Sequence, residues 1–302
     1  MDLKYKHFIL PLLLSLAGLI IGSIGSIDMT ISQSLYIKDN VFSLICATFG
    51  MIPIYGLLAF FGMYIIPLGL KAEKRKFWLT MIIILGIGMF VFGSYKLADD
   101  FTSINGFNVP QFKWPVAFPC ALLFFSLVGH FGYRYGKHSN NEHLLWGLII
   151  AIISCIVVIG ISMLIKIIMH RPRFRAICNS DYGIPFYNWF LRCGDYKNYM
   201  SIYNLPSEEF KAFPSGHAGF SMFLTFCITM FPALGMKKIK HTTLAFYICF
   251  IYSLVIAFSR LLAGAHFLSD VSFGILLTTL MFVAVKAYLD RHPKLEIKIK
   301  AK

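Results

Sequence analysis

The chain has 302 residues, of which 58% are hydrophobic and only 14% are charged, and its formal net charge is +14. Soluble domains carry about 25% charged residues, so the composition excludes a water-soluble globule. The high hydrophobicity also excludes intrinsic disorder. We therefore expect an all-α fold, a multi-pass helical membrane protein with about eight spans.

Eight apolar stretches of about 20 residues occur along the chain, and each is long enough to cross a bilayer. They run from about 8 to 25, 41 to 70, 77 to 97, 115 to 133, 144 to 168, 217 to 236, 242 to 262 and 267 to 289. The first has the basic start and small-residue end of a signal peptide, but further spans follow, so we expect it to stay uncleaved. The second is unusually long, which indicates a tilt or an interfacial turn.

Eight spans place both termini on one side of the membrane. If that side is the cytoplasm, 17 of the 28 Lys and Arg residues but only five of the 14 acidic residues lie inside. This is the positive-inside pattern, and it explains the net charge without nucleic acid. We expect an integral cell (inner) membrane protein with cytoplasmic termini. The basic run at 71–76 is the candidate boundary between two N-terminal spans (1–76) and a six-span core (77–302).

The seven cysteines form no Cys/His cluster with zinc spacing. Five lie within spans, where small core residues are the ordinary interpretation. Cys178 and Cys193 lie in the long outer loop, and the sequence leaves open whether they form a disulfide.

The segment after the fifth span carries a cationic cluster of Lys166, Arg171, Arg173 and Arg175. These cations lie on the side where the positive-inside rule disfavours them. Lys166 and Arg173 are seven residues apart, about two helical turns, so they could share a face. Pro172 disfavours a continuous helix there. The natural ligand for such a cluster is a phosphate.

The sixth span begins with Pro214-Ser215-Gly216-His217. A helix N-terminus presents free N–H groups and a positive dipole end to an anion. Gly216 lets the backbone approach it closely, and His217 could donate a proton to a leaving group. Ser215 could equally be a plain N-cap.

His266 and Asp270 lie four residues apart at the start of the eighth span, after Arg260. On a helix they share a face, so Asp270 could accept a hydrogen bond from one imidazole nitrogen and leave the other as a nucleophile. The alternative is a purely structural pair, although ionisable groups at membrane depth usually mark function.

Together these segments match phosphoryl transfer through a covalent phosphohistidine. A two-metal mechanism needs clustered carboxylates. Four outer acidic residues are expected in loops away from these segments, so we expect no metal and no other cofactor. They are Asp99, Asp100, Glu208 and Glu209.

The three segments resemble the signature of the type 2 phosphatidic acid phosphatase superfamily, which includes the vanadium haloperoxidases. That signature is Lys-x6-Arg-Pro, Pro-Ser-Gly-His and Ser-Arg-x5-His-x3-Asp. The second and third elements match completely, at 214–217 and 259–270. The first matches through Lys166 and Arg173 with Phe174 in place of Pro, and a rival frame uses Arg171-Pro172. We favour Arg173.

The resemblance covers residues 77–302 and implies a role for each matching residue. His266 is implied as the nucleophile that attacks phosphorus, Asp270 as the residue that orients it, and His217 as the proton donor to the leaving oxygen. The implied ligands of the phosphate oxygens are Lys166, Arg173, Ser215, Gly216 and Arg260, with assistance from Arg171.

We therefore expect a metal-independent phosphatase that acts on a phosphorylated lipid from the bilayer, on the extracytoplasmic face. Undecaprenyl diphosphate, a phospholipid phosphate and lipid A are the candidate substrates. A lipid phosphotransferase, with a lipid hydroxyl as acceptor, fits the same motifs. A membrane protein that binds or transports anionic lipids is a third hypothesis, but it predicts the loss of motif residues that are present here.

Overall fold

The computed structural model describes residues 4–72, 75–103, 106–138, 144–230 and 242–291, which form helices and turns without a strand. The all-α prediction is confirmed. This part of the chain contains twelve α-helices: α1 (Lys6–Ser23), α2 (Ile27–Leu35), α3 (Val41–Phe49), α4 (Ile52–Ala72), α5 (Lys76–Thr102), α6 (Phe118–His138), α7 (Leu144–Met169), α8 (Phe174–Asn179), α9 (Tyr196–Ile202), α10 (Gly216–Met230), α11 (Thr242–Leu262) and α12 (Leu268–Arg291).

Seven helical segments among the described residues are long and apolar enough to cross a membrane. They are Lys6–Ser23, Val41–Lys71, Lys76–Thr102, Pro110–His138, Ile153–Asn179, Thr242–Leu262 and Leu268–Tyr288. These match seven of the eight predicted spans. The other predicted span begins as α10, and its last residues, 231–236, lie outside the described residues. The cations predicted inside at 237–240 and in the tail after Arg291 also lie outside them.

The long second span consists of two helices, α3 and α4, with a break at Gly50 and Met51. A side chain at Gly50 would overlap the backbone of Cys46 and the side chain of Ile256. Tyr252 donates its hydroxyl hydrogen to the Gly50 carbonyl. Helix α11 therefore packs directly against this break, which only a residue without a side chain can occupy.

The helices pack in two groups. Helix α4 lies against α5 and α6, whereas α1 lies along α12 and α10 lies against both α11 and α12. Phe8, Met222, Phe246 and Phe282 belong to an apolar core that also includes Tyr64 of α4, so this core joins the two groups. Large apolar side chains also cover the outer surface, and Leu123 on α6 is 73% exposed. Such a surface suits lipid rather than water, in agreement with a multi-pass membrane protein.

Helix α5 is longer than the sequence indicated, because the predicted loop from residue 98 includes its last turn. Asp99 and Asp100 therefore lie on a helix and not in a loop. Asp99 accepts a hydrogen bond from Lys113 at 2.6 Å, and Asp100 accepts one from the Tyr55 hydroxyl at 2.5 Å. Lys113 and Tyr55 thus donate the hydrogen bonds that water would donate to a carboxylate in an exposed loop.

The long segment between α7 and α10 folds over the ends of the spans. It contains α8, α9 and a 3-10 turn at Ser207–Phe210, and Phe174, Ile177 and Phe210 form a small apolar core with Phe267. Cys178 and Cys193 carry free thiols, so the disulfide that the sequence left open does not form. Burial raises the pKa of the Cys193 thiol.

Candidate active site

The three motif segments meet at one end of the bundle, and hydrogen bonds to backbone carbonyls join them. The N–H of Ala212 donates to the carbonyl of Arg171 at 3.0 Å, and the N–H of Ser215 donates to the carbonyl of Asp270 at 3.0 Å. The ammonium group of Lys166 donates to the carbonyl of Lys211 at 3.0 Å. The segments expected to share the site are therefore fixed to one another.

Close packing of α10 against α12 sets the relative position of the second and third motifs. A Cβ on Gly274 would overlap the carbonyl oxygen of Ser215 and would lie 3.2 Å from the nitrogen of Gly219. The Thr278 hydroxyl donates to the Gly219 carbonyl at 2.9 Å. The two helix backbones thus approach each other as closely as small residues allow.

His266 is 2% exposed and is oriented by a backbone carbonyl. Its Nδ1 lies 2.6 Å from the carbonyl oxygen of Ala212 and 3.8 Å from the nearer carboxylate oxygen of Asp270. The expected hydrogen bond from His266 to Asp270 is therefore wrong, because the carbonyl occupies that position. A carbonyl can only accept, so Nδ1 carries the hydrogen and Nε2 keeps its lone pair.

Positive charge surrounds His266. Burial, together with the charges of Lys166, Arg173 and Arg260, holds the pKa of His266 well below its ordinary value. Arg173 and Arg260 are themselves 4% and 1% exposed. His266 is consequently neutral at pH 7, as a nucleophile must be, and it is within electrostatic reach of three of the predicted phosphate-binding residues.

Helix α10 begins at Gly216, with the predicted residues of the second motif in its first turn. The hydroxyl of Ser215 accepts a hydrogen bond from the N–H of Ala218 at 3.4 Å. Ser215 is therefore the N-cap of α10, as the sequence also allowed. The N–H groups of Gly216 and His217 occupy positions that have no partner within their own helix. His217 Nε2 is buried and has no hydrogen-bond partner among the described residues.

Arg171 and Arg173 point to different neighbours. The guanidinium of Arg171 donates to the carboxylate of Asp270, to the hydroxyl of Ser269 at 2.7 Å and to the Tyr187 carbonyl at 2.9 Å. Arg173 instead acts on His266 through its charge. Arg171 therefore lies beside Asp270, whereas Arg173 Nη1 lies 3.8 Å from a carboxylate oxygen of Glu209.

Glu209 belongs to this end of the bundle, although the sequence placed it in a loop outside the motif segments. It is 3% exposed and accepts hydrogen bonds from Arg175 Nε at 3.0 Å and Nη2 at 2.5 Å. Burial opposes its ionisation, but these bonds and the charges of Arg173 and Arg175 outweigh burial and lower the pKa of Glu209. No spacing in the sequence signals this contact.

Asp28 is a second buried acid that the motif analysis missed. It lies in the first turn of α2, is fully buried, and accepts from Arg171 Nη2 at 2.9 Å and from the Ser269 hydroxyl at 2.5 Å. The sequence feature that could have identified Asp28 is its position as an acidic residue within an apolar N-terminal segment. Across the described ranges, no three His, Cys, Asp or Glu side chains are grouped as metal ligands would be.

Comparison with known families agrees with this arrangement. Residues 143–294 match the model of the PAP2 superfamily, the phosphatase superfamily that the three motifs resemble. The chain belongs to the PAP2 superfamily, and membership implies phosphatase or phosphoesterase activity. No curated protein and no solved structure matches the chain significantly. The match begins at residue 143, after helices α1 to α6, so Asp28 lies outside it.

Proposed function

We propose that the protein is a metal-independent lipid phosphatase that works through a phosphohistidine on His266. The observation that carries this proposal is the environment of His266. Its Nδ1 hydrogen is donated to the Ala212 carbonyl, its Nε2 lone pair is available, and positive side chains surround it. A neutral imidazole among cations is suited to attack a phosphorus whose oxygens are negatively charged.

In the proposed first step, His266 Nε2 forms a bond to phosphorus and the bond from phosphorus to the leaving oxygen breaks. His217, in its imidazolium form, gives a proton to that oxygen, which departs as the hydroxyl group of the lipid or, from a diphosphate, as a phosphate. In the second step, His217 takes a proton from water, the water oxygen bonds to phosphorus, and the bond to His266 breaks. Both histidines return to their starting states.

The charges around His266 account for stabilisation of the transferring group. Lys166, Arg173 and Arg260 bind the phosphate oxygens in this scheme, while the N-terminus of α10 supplies N–H donors from Gly216 and His217. The hydroxyl of Ser215 is a further donor, since its backbone N–H is already bonded to Asp270. Asp270 acts through Arg171 and the start of α12.

The proposed substrate is a phosphorylated lipid that reaches the site from the bilayer. The apolar outer surface of the bundle supports a lipid environment, and Arg260 lines a cavity of about 320 Å³ with Tyr36, Asn40 and Arg175. Two arginines and one aspartate, Asp39, line this cavity, so its lining has an excess of positive charge that suits an anionic headgroup. The positive-inside pattern supports an extracytoplasmic site and cytoplasmic termini.

The test is phosphate release in detergent with excess chelator. The panel contains undecaprenyl diphosphate, phosphatidylglycerol phosphate, phosphatidic acid and lipid A, and His266→Ala is the inactive control. We expect release from at least one lipid by the wild type and none by the variant. Equal release by both proteins would overturn the histidine mechanism.

Product analysis in the same reactions separates hydrolysis from transfer. A hydrolase liberates free phosphate in proportion to substrate consumed. Phosphate recovered on a second lipid's hydroxyl would instead establish a phosphotransferase. Loss of activity with chelator, restored by a divalent metal, would contradict metal independence.

The membrane orientation has its own test. A reporter enzyme active only in the cytoplasm, fused after Lys302, should be active. Hydrolysis of a membrane-impermeant phosphate ester by intact cells should occur and should disappear in His266→Ala. An inactive reporter, or hydrolysis only after permeabilisation, would contradict the proposed orientation.

A further inference from the structure

We propose that Asp28 is a positioning residue for the phosphate site, so that the N-terminal helices complete the catalytic unit. This inference rests on the proposed function. Asp28 lies on α2, outside the residues that match the superfamily. It nevertheless contacts two residues that adjoin the third motif's acid, Arg171 and Ser269.

Arg171 connects Asp28 to Asp270. One guanidinium, that of Arg171, donates to both carboxylates, through Nη2 to Asp28 at 2.9 Å and through Nη1 to Asp270. All three side chains are fully buried. A buried guanidinium between two carboxylates has its orientation fixed from both sides, because a rotation that improves one bond breaks the other.

Asp28 also contacts the start of α12. Asp28 accepts from the backbone N–H of Ser269 at 3.2 Å and from its hydroxyl at 2.5 Å. Asp270 accepts from the backbone N–H of Phe267 at 2.7 Å. Two carboxylates therefore cap the same helix N-terminus. The turn that they fix carries His266, whose position decides whether Nε2 faces the phosphorus.

Burial and the nearby Asp270 carboxylate raise the pKa of Asp28, and the donors that face both of its oxygens, from Arg171 and Ser269, oppose that shift without cancelling it. The helix itself is held in place close by. Ser23, at the end of α1, accepts from the indole N–H of Trp189 at 2.9 Å, and the N–H of Ile37 donates to the Leu262 carbonyl at 3.0 Å. Asp28 thus lies on a segment anchored to the core on both sides.

The test uses Asp28→Asn in the full-length protein, assayed for phosphate release on whichever lipid the wild type hydrolyses. The amide keeps the shape of the side chain but turns a donor toward Ser269 or Arg171, so one contact is lost. We expect kcat to fall about 100-fold, because small misplacements of reacting groups have effects of that size, with little change in KM. The matched control is Thr243→Val. It removes the hydrogen bond between the Thr243 hydroxyl and Nε2 of His7 on α1, which are 3.1 Å apart, and it should leave kcat unchanged.

A double-mutant cycle separates positioning from general weakening of the fold. If Asp28 acts through Asp270, the substitution should reduce kcat far less in an Asp270→Asn background than in the wild type. Equal fold reductions in both backgrounds would overturn the proposal. So would wild-type kcat in a folded Asp28→Asn protein.

A second variant covers the case in which Asp28→Asn does not fold. Ser269→Ala keeps every charge and frees the carboxylate of Asp28 from the side chain on α12. It should lower kcat in the same way, and full activity would overturn the proposal. An inactive wild type would instead refute the proposed function, so the two failures are distinct.

Discussion

Gly274→Ala tests whether the close crossing of α10 and α12 sets the geometry of the site. The new Cβ would overlap the Ser215 carbonyl oxygen and would lie 3.2 Å from the Gly219 nitrogen, whereas ordinary contacts begin at 3.4 Å. Both atoms belong to the backbone, so α10 must move away from α12 by about 1 Å. A displacement of that size at a reacting group costs on the order of 100-fold in rate.

The stability cost should be much smaller than the activity cost. Overpacking costs about 1–3 kcal/mol, and replacing a helical glycine with alanine returns roughly 1 kcal/mol. We therefore expect a net loss of about 0–2 kcal/mol, measured as a small decrease in Tm in detergent. Phosphate release under saturating substrate measures the change in kcat.

Two glycines provide matched controls for this substitution. A Cβ on Gly88 or on Gly160 meets no atom within 4 Å, so Gly88→Ala and Gly160→Ala should retain wild-type kcat. Wild-type kcat in Gly274→Ala would refute the reasoning that the crossing positions the second motif. An equal loss in the control variants would refute it as well.

Three further predictions concern the end of the bundle that carries the motif residues. Because the pKa of Glu209 is lowered in the folded protein, its ionised form stabilises the fold above pH 4.5, and this contribution is lost as the pH falls through the lowered pKa. Glu209→Gln should therefore decrease Tm at pH 7 and reduce the fall in Tm that the wild type shows below pH 4.5. A Tm–pH curve identical to that of the wild type would contradict this. Arg171→Ala leaves buried carboxylates without their shared cation and should destabilise the protein by about 3–5 kcal/mol, measured by thermal unfolding, and an unchanged Tm would contradict it. Dithiothreitol should leave Tm unchanged because Cys178 and Cys193 carry free thiols, and a decrease on reduction would reveal a disulfide.

Local sequence patterns predicted the spans and motifs because both depend on near neighbours in the chain. Apolar runs of about 20 residues identified the spans. The separation of four residues predicted a shared helix face for His266 and Asp270, but only Asp270 lies on α12, which begins at Leu268. The break after Phe49 was anticipated only as a tilt or turn, since its position depends on Ile256 and Tyr252 in a distant helix.

Contacts between distant segments could not be predicted in the same way. The spacing of His266 and Asp270 permitted a hydrogen bond, but the carbonyl of Ala212, 54 residues away, takes that position. Asp28 reaches Arg171 across 143 residues. In each case the packing of the helices determines which group is the hydrogen-bond partner, and no local sequence pattern predicts that packing.

The measurement that tests the account most directly is the site of covalent phosphorylation during turnover. The wild type is mixed with lipid substrate carrying a labelled phosphate, quenched in alkali, digested and mapped by mass spectrometry. The account predicts labelled phosphate on His266, on the nitrogen that does not face Ala212, and no label in His266→Ala. Label on another residue, or rapid turnover without any covalent label, would contradict the phosphohistidine mechanism.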